Sequence, residues 1–267
     1  MGQALQSELV GHELLVTDAD SLDITRQDQV HAKLREASPD FVINAAAYTA
    51  VDKAEEEVEL AYRVNETGPR FLAQATSEMN IPIMQISTDY VFDGESKISW
   101  HESDETRPLS VYGKSKLAGE QVVQHTNPKN YIVRTAWLYH YSGQNFLRTM
   151  YGLREREEVR VVNDQRGSPT NADDLARAIG QLMLVPEYGI YHLVNQGEAS
   201  WYELTCEFYR QLDIATRVVP VSTEEFPRPA PRPKSSVLMT DRKVGTGMPD
   251  WQSGVSRLVT QIRAGGW

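Results

Sequence analysis

Apolar and polar positions along the chain follow two periods. Short, nearly continuous apolar runs, "HELLVTD", "DFVINAAA", "IPIMQISTDYVF", "YIVRTAWLY" and "VRVVND", read as strands buried on both faces. Between them lie stretches of helical length: a polar segment to Ser38, then "AEEEVELAYRVNETGPRFLAQATSEM", "SVYGKSKLAGEQVVQH" and a helix through Arg154. This alternation predicts an α/β fold, a doubly wound parallel sheet with helices on both faces and right-handed crossovers. The opening "MGQALQSELVGHELLVTD" starts differently. Leu5 and Leu9 stand four apart among polar neighbours and predict a helix, after which a Gly-His pair hands over to the apolar run ending at Asp18.

The second half is less regular. "GIYHLVNQGEASWYELTCEFYRQL" reads as strand, turn and helix. The proline-rich "EEFPRPAPRPKSSVLMTDRKV" leaves no room for a central strand and predicts either a linker or a packed loop on a smaller C-terminal lobe. The interleaved arginines favour the packed loop.

Composition narrows the functional classes. With 267 residues and 40% apolar content the chain can bury a substantial core. A net charge of -10, with acids spread along the chain, argues against a nucleic-acid partner but leaves room for a local basic pocket. Cys206 is the sole cysteine, so neither an intrachain disulfide nor a cysteine metal cluster can form, and the six histidines fall in no HExxH pattern. No metal site is therefore predicted. No run approaches the roughly 20 apolar residues of a membrane span and no leader pattern precedes the fold, so a cytoplasmic location off the membrane is expected.

The sharpest chemical signal is "VYGKSK". Tyr112 and Lys116 are four apart near a helix start, on one face. An ammonium beside a phenol favours the phenolate and draws its pKa towards neutrality, which would make Tyr112 a general acid for a developing alkoxide. The same spacing also suits a plain solvated pair. "MQISTDYVFDG" places Ser87, Thr88 and Asp89 where a strand gives way to a loop, the usual ligand position in an open parallel sheet, although short polar side chains also cap turns. In "NAAAYTAVDKAE" the small side chains after Asn44 allow close approach of a flat ligand or of backbone. Asp18, ending its apolar run, is placed either to accept from an adenosine ribose or to face solvent, with "SLDIT" continuing around that end.

Taken together and in order, "NAAAYTAVDKAE", "NETGPRFLAQA", "ISTDYVFDG", "PLSVYGKSKLAGE", "RTAWLY", "NFLRTM", "DQRGSPT" and "RPKSSVL" make the chain resemble the dTDP-4-dehydrorhamnose reductase family of extended short-chain dehydrogenases/reductases over essentially its whole length. The resemblance implies a Rossmann-like sheet with a smaller C-terminal substrate-binding lobe. It divides the chain into residues 1–145, the main NAD(P)-binding part, and 146–267, a returning Rossmann segment with the substrate lobe. It implies reduction of the C4 carbonyl of dTDP-4-dehydro-L-rhamnose by NADPH or NADH, with Thr88, Tyr112 and Lys116 as the catalytic set. Gly2, Asp18, Asp23, Ile24, Ala45, Ala46, Ala47 and Asn65 would join Tyr112 and Lys116 in holding the cofactor. Thr49, Thr88, Asp89, Tyr90, Trp137, Asn145 and Arg232 would face the nucleotide sugar, while Arg166 packs or pairs at a loop base. A homodimer and Mg2+ are carried by the resemblance alone. Another nucleotide-sugar reductase or epimerase, or a noncatalytic regulatory subunit, are the alternative roles on this scaffold.

The same resemblance marks a departure at the start. Such folds begin with a strand and a glycine-rich turn whose helix presents its amides to a pyrophosphate, and "MGQAL" matches only the last glycine and that helix. The expectation is a weakened pyrophosphate cradle and an unpaired sheet position.

Overall fold

The computed structural model describes residues 1–95 and 99–267. Its elements are α1 (Gly2–Glu8), α2 (Gln27–Ala37), β1 (Val42–Asn44), α3 (Val51–Ala54), α4 (Val58–Tyr62), α5 (Gly68–Glu78), β2 (Ile83–Thr88), α6 (Val111–Thr126), β3 (Asn130–Thr135), β4 (Leu138–Tyr139), α7 (Phe146–Gly152), β5 (Glu158–Val162), β6 (Arg166–Gly167), β7 (Thr170–Asn171), α8 (Ala172–Leu182), β8 (Gly189–His192), β9 (Ala199–Ser200), α9 (Trp201–Leu212), β10 (Arg217–Val221), α10 (Lys243–Thr246) and α11 (Trp251–Gly265).

Strands β1, β2, β3 and β8 form a parallel sheet in that order. Asn44 lies opposite Gln85, Thr88 opposite Thr135 and Arg134 opposite His192, so all four carboxyl ends open on one edge. Successive side chains of a strand point to opposite faces. Accordingly Met84, Ile86, Tyr131 and Val133 join α1 and α8 in one apolar cluster. Ile83 and Ile132 join α2, α5 and α6 in another. These two layers make the sheet doubly wound. The predicted first helix is held in the first layer by Ala4, Leu5 and Leu9. A separate core gathers apolar side chains of α7, β5, α9 and α11, with Phe208 and Leu258 fully buried.

Two predicted strands do not join the main sheet. Residues 13–18 of "HELLVTD" are irregular, and Leu14, Leu15 and Val16 are exposed. Strand backbone needs a hydrogen-bonding neighbour, and among the described residues none flanks the outer edge of β1 to receive this run. "VRVVND" does form β5, but it pairs in parallel with β10 in a two-stranded sheet of its own. The partner "RVVPV" gives no plain strand signal because of Pro220, which a strand with one free edge tolerates.

The long helical stretch after Ala54 is also interrupted. A π-helical segment, Arg63–Thr67, separates α4 from α5. Pro69 has no N–H for the carbonyl four residues back and its ring crowds that carbonyl. The ladder widens there, and the freed Asn65 carbonyl comes to rest against Gly119 of α6, where a Cβ would stand 2.0 Å from the oxygen.

Candidate active site

Thr88 ends β2, and α6 begins alongside it. Ser110 caps that helix by accepting from the Gly113 amide at 3.1 Å. Tyr112 and Lys116 therefore stand one turn apart facing β2, with Tyr112 sharing a cavity wall with Thr88 and the Lys116 Nζ donating to the Ile86 carbonyl at 2.6 Å. Lys116 is 4% exposed. Burial depresses its pKa to about 8, opposed by the Glu120 carboxylate.

Burial pushes the Tyr112 phenol up to about 12, with the Thr88 hydroxyl opposing and the Asp89 charge adding. The sequence spacing predicts the reverse, a phenol drawn towards neutrality by Lys116. Desolvation prevails, and the Lys116 ammonium is directed at the Ile86 carbonyl rather than at the phenol. Tyr112 thus keeps its proton at neutral pH, which suits an acid.

Asp89 is almost wholly buried. Its Oδ1 accepts from Thr88 Oγ1 at 2.9 Å and its Oδ2 from Ser236 Oγ at 2.5 Å. Burial raises its pKa to about 6. Both oxygens are taken within the protein, so the carboxylate orients Thr88 and ties it to the C-terminal segment.

A cavity of about 400 Å3 opens here, lined among others by Thr49, Thr88, Asp89, Tyr90, Tyr112 and Trp137. Trp137 sits at φ 47°, in the left-handed region. Its ring lies flat on Trp201, centroids 3.5 Å apart and planes 5° from parallel. Gly167 makes room for it, since a Cβ there would fall 2.3 Å from the indole. Trp201 also lines the cavity and was not singled out from sequence. Its only local signal is its place directly after the capping residue Ser200.

The loop after β1 is braced from two sides. Asn44 donates to Gln85 Oε1 at 2.7 Å and accepts from the Ala46 amide at 3.1 Å, which fixes Ala45, Ala46 and Ala47 at the strand end. Asn65 accepts from the Tyr48 amide at 2.8 Å and donates to the Tyr48 carbonyl and to Ser115 Oγ. Its side chain is a strut between this loop and α6.

Other candidates lie at the rim or away from the cavity wall. Asn145 caps α7, accepting from the Arg148 amide at 3.1 Å and donating to the His140 carbonyl at 2.8 Å. Arg232 clamps Asp52 through Nη1 at 2.6 Å and Nη2 at 3.0 Å, and its Nη1 also donates to the Ala230 carbonyl at 2.7 Å. Arg228 adds a second guanidinium to the same carboxylate at 2.7 Å. These arginines hold Asp52 well below the usual carboxylate range and make the proline-rich segment a packed loop. Arg166 pairs with Glu198 and Glu203. Asp18 and Asp23 are exposed, and each closes its own turn with Ser21 or Thr25. Ile24 packs against Gly68 at the start of α5, and Gly2 is exposed in α1. Among the described residues no group of three His, Cys, Asp or Glu side chains is arranged to hold a metal, and no helix is long and apolar enough to cross a membrane.

A parallel sheet covered on both faces, with a threonine at a strand end beside a tyrosine and lysine one helical turn apart, defines a Rossmann-like oxidoreductase of the extended short-chain type. Residues 1–264 match the family model described as RmlD substrate binding domain. The dTDP-4-dehydrorhamnose reductase of Sinorhizobium fredii is 40% identical over 262 residues, 92% of this chain and 88% of that protein. That of Salmonella typhimurium is 42% identical over 90% of this chain and 85% of its own length. A crystal structure of a dTDP-4-dehydrorhamnose reductase from Clostridium acetobutylicum superposes with a TM-score of 0.96 at 44% identity, covering 98% and 95% of the two chains. The Bacillus anthracis enzyme, solved in complex with NADP, gives 0.94 at 41% identity over 97% and 95%. The chain belongs to the RmlD family, the family of the dTDP-4-dehydrorhamnose reductases.

Proposed function

We propose that the protein is an NAD(P)H-dependent dTDP-4-dehydrorhamnose reductase, forming dTDP-L-rhamnose from dTDP-4-dehydro-L-rhamnose. The observation that carries this reading is Thr88 and Tyr112 together on the wall of one cavity, with the phenol kept protonated and Lys116 buried one helical turn further along α6. NAD(P)H supplies a hydride to the C4 carbonyl. Tyr112 donates its proton to the C4 oxygen as charge develops there. Thr88 holds that oxygen beside the phenol, and the Lys116 ammonium stabilises the phenolate left behind.

The residues fit the nicotinamide end of such a cofactor: Ala45, Ala46 and Ala47 present only methyl groups on a braced loop beside β2, the strand whose Ile86 carbonyl Lys116 of α6 contacts. Asp18, Asp23, Ile24 and Gly2 form the adenosine end of the reading, with Asp18 suited to an unphosphorylated ribose, so either NADH or NADPH is used. On the substrate side Trp137 and Trp201 offer an aromatic wall for the sugar and Thr49 and Tyr90 polar contacts. Asp89 acts through Thr88, Asn145 through the α7 start, and Arg232 at the rim takes diphosphate oxygens. Division into residues 1–145 and 146–267, a homodimer, and Mg2+ between subunits belong to the same proposal. Sedimentation with and without chelator tests the last two.

The deciding experiment incubates the protein with the 4-keto sugar nucleotide and NADPH or NADH. One reduced cofactor consumed per dTDP-L-rhamnose formed is the expected result. A product isomeric with its substrate and no net consumption would indicate an epimerase, and no turnover with retained sugar-nucleotide binding would indicate a regulatory subunit.

A further inference from the structure

Beneath the reacting groups lies a buried ion pair that the proposed chemistry does not use. Glu120 Oε1 accepts from Ser87 Oγ at 2.5 Å and from Arg134 Nε at 3.0 Å, and its Oε2 accepts from Arg134 Nη2 at 2.7 Å. The two charged side chains are 1% and 3% exposed. Arg134 also lies over the Phe92 ring, 5.2 Å from its centroid.

The three partners sit on three elements, and each has a site residue close by in sequence. Ser87 precedes Thr88 on β2, Glu120 follows Lys116 by one turn on α6, and Arg134 on β3 leads into Trp137. A buried pair of this kind contributes little stability beyond that of apolar side chains of the same volume, because desolvation offsets the attraction. What it supplies instead is geometry: a planar fork on a carboxylate fixes distance and angle, where an apolar contact tolerates sliding. The geometry points to Glu120 as a positioning residue that, through Arg134 and Ser87, sets the helix bearing Tyr112 and Lys116 in register with the strand ends bearing Thr88 and Trp137. This inference rests on the reductase reading for its kinetic test.

That test replaces the pair by apolar side chains, Glu120→Leu with Arg134→Met, and removes only the β2 tie with Ser87→Ala. The double variant should unfold at a urea midpoint close to that of the parent, yet its kcat should fall about 10- to 100-fold with KM changing less than about threefold, as expected of reacting groups displaced by about 1 Å. S87A should show a smaller kcat loss, with a modestly lowered midpoint because the buried Glu120 carboxylate loses one donor. Hydrogen exchange of the first turns of α6 reads the same anchoring without substrate and should quicken about tenfold or more in both variants. Unchanged kcat and exchange at unchanged midpoint would overturn the inference. So would a lowered midpoint with parental kcat per folded molecule, which marks a purely structural pair. Should the double variant fail to fold, S87A alone decides by the same two readouts. If the parent itself consumes no reduced cofactor, the reductase reading fails, and the exchange measurement still judges the positioning role.

Discussion

Gly119→Ala perturbs the contact that seats α6, the helix bearing Tyr112 and Lys116. An added Cβ would stand 2.0 Å from the Asn65 carbonyl oxygen, whereas real Cβ contacts essentially never fall below 3.0 Å, so α6 and the π segment must part by at least about 1 Å. No side-chain rotamer can absorb the clash, because both sides are backbone and the Asn65 amide is tied to Tyr48 and to Ser115 on α6 itself. Forcing one methyl into a filled contact costs roughly 1–3 kcal/mol, offset by up to about 1 kcal/mol from replacing a helical glycine with alanine. The expected net loss is about 1–2 kcal/mol, read as a lower urea midpoint. Because Lys116 lies one turn before Gly119, a shift of this size should also lower kcat by about 100-fold, measured as NAD(P)H consumption with saturating sugar nucleotide. A variant with parental midpoint and parental kcat would refute the argument that this close approach positions the site.

Tyr112→Phe should lower kcat by about 10²–10⁴ while leaving cofactor affinity, followed by calorimetric titration, nearly unchanged. With the Lys116 pKa brought down to about 8, its ammonium is present below that pH and lost above it, so a kcat profile should be level near pH 7 and fall as pH rises through about 8. Gly167→Ala drives a Cβ into the Trp137 indole and should raise the KM for the nucleotide sugar by about tenfold, with kcat affected less. Asp52→Ala releases both Arg228 and Arg232, so limited proteolysis should cut the proline-rich loop faster than in the parent, with a lowered urea midpoint because Arg232, 14% exposed, is left without its carboxylate.

Periodicity alone determined the runs that became β1, β2, β3 and β8, since strands buried on both faces must be continuously apolar, and it determined α1 from Leu5 and Leu9. The four-residue spacing likewise put Tyr112 and Lys116 on one helical face, a consequence of local backbone geometry. Whether an apolar run becomes a strand depends on a neighbour elsewhere in the chain. Residues 13–18, with no ladder partner among the described residues, stayed irregular, while the proline-bearing 217–221 found β5. The site divides in the same way. Residue types at strand ends pointed to Thr88, Trp137 and the alanine loop, but the stacking of Trp201 on Trp137 and the Glu120–Arg134 fork join residues tens of positions or a turn and a strand apart. The protonation of Tyr112 was decided by tertiary structure too, because desolvation depends on everything that surrounds the phenol, and the neighbouring lysine that the sequence placed beside it turned to the Ile86 carbonyl instead. Sequence fixes what each segment is able to form, through local geometry and side-chain chemistry, while partners, packing and dielectric are properties of the assembled chain.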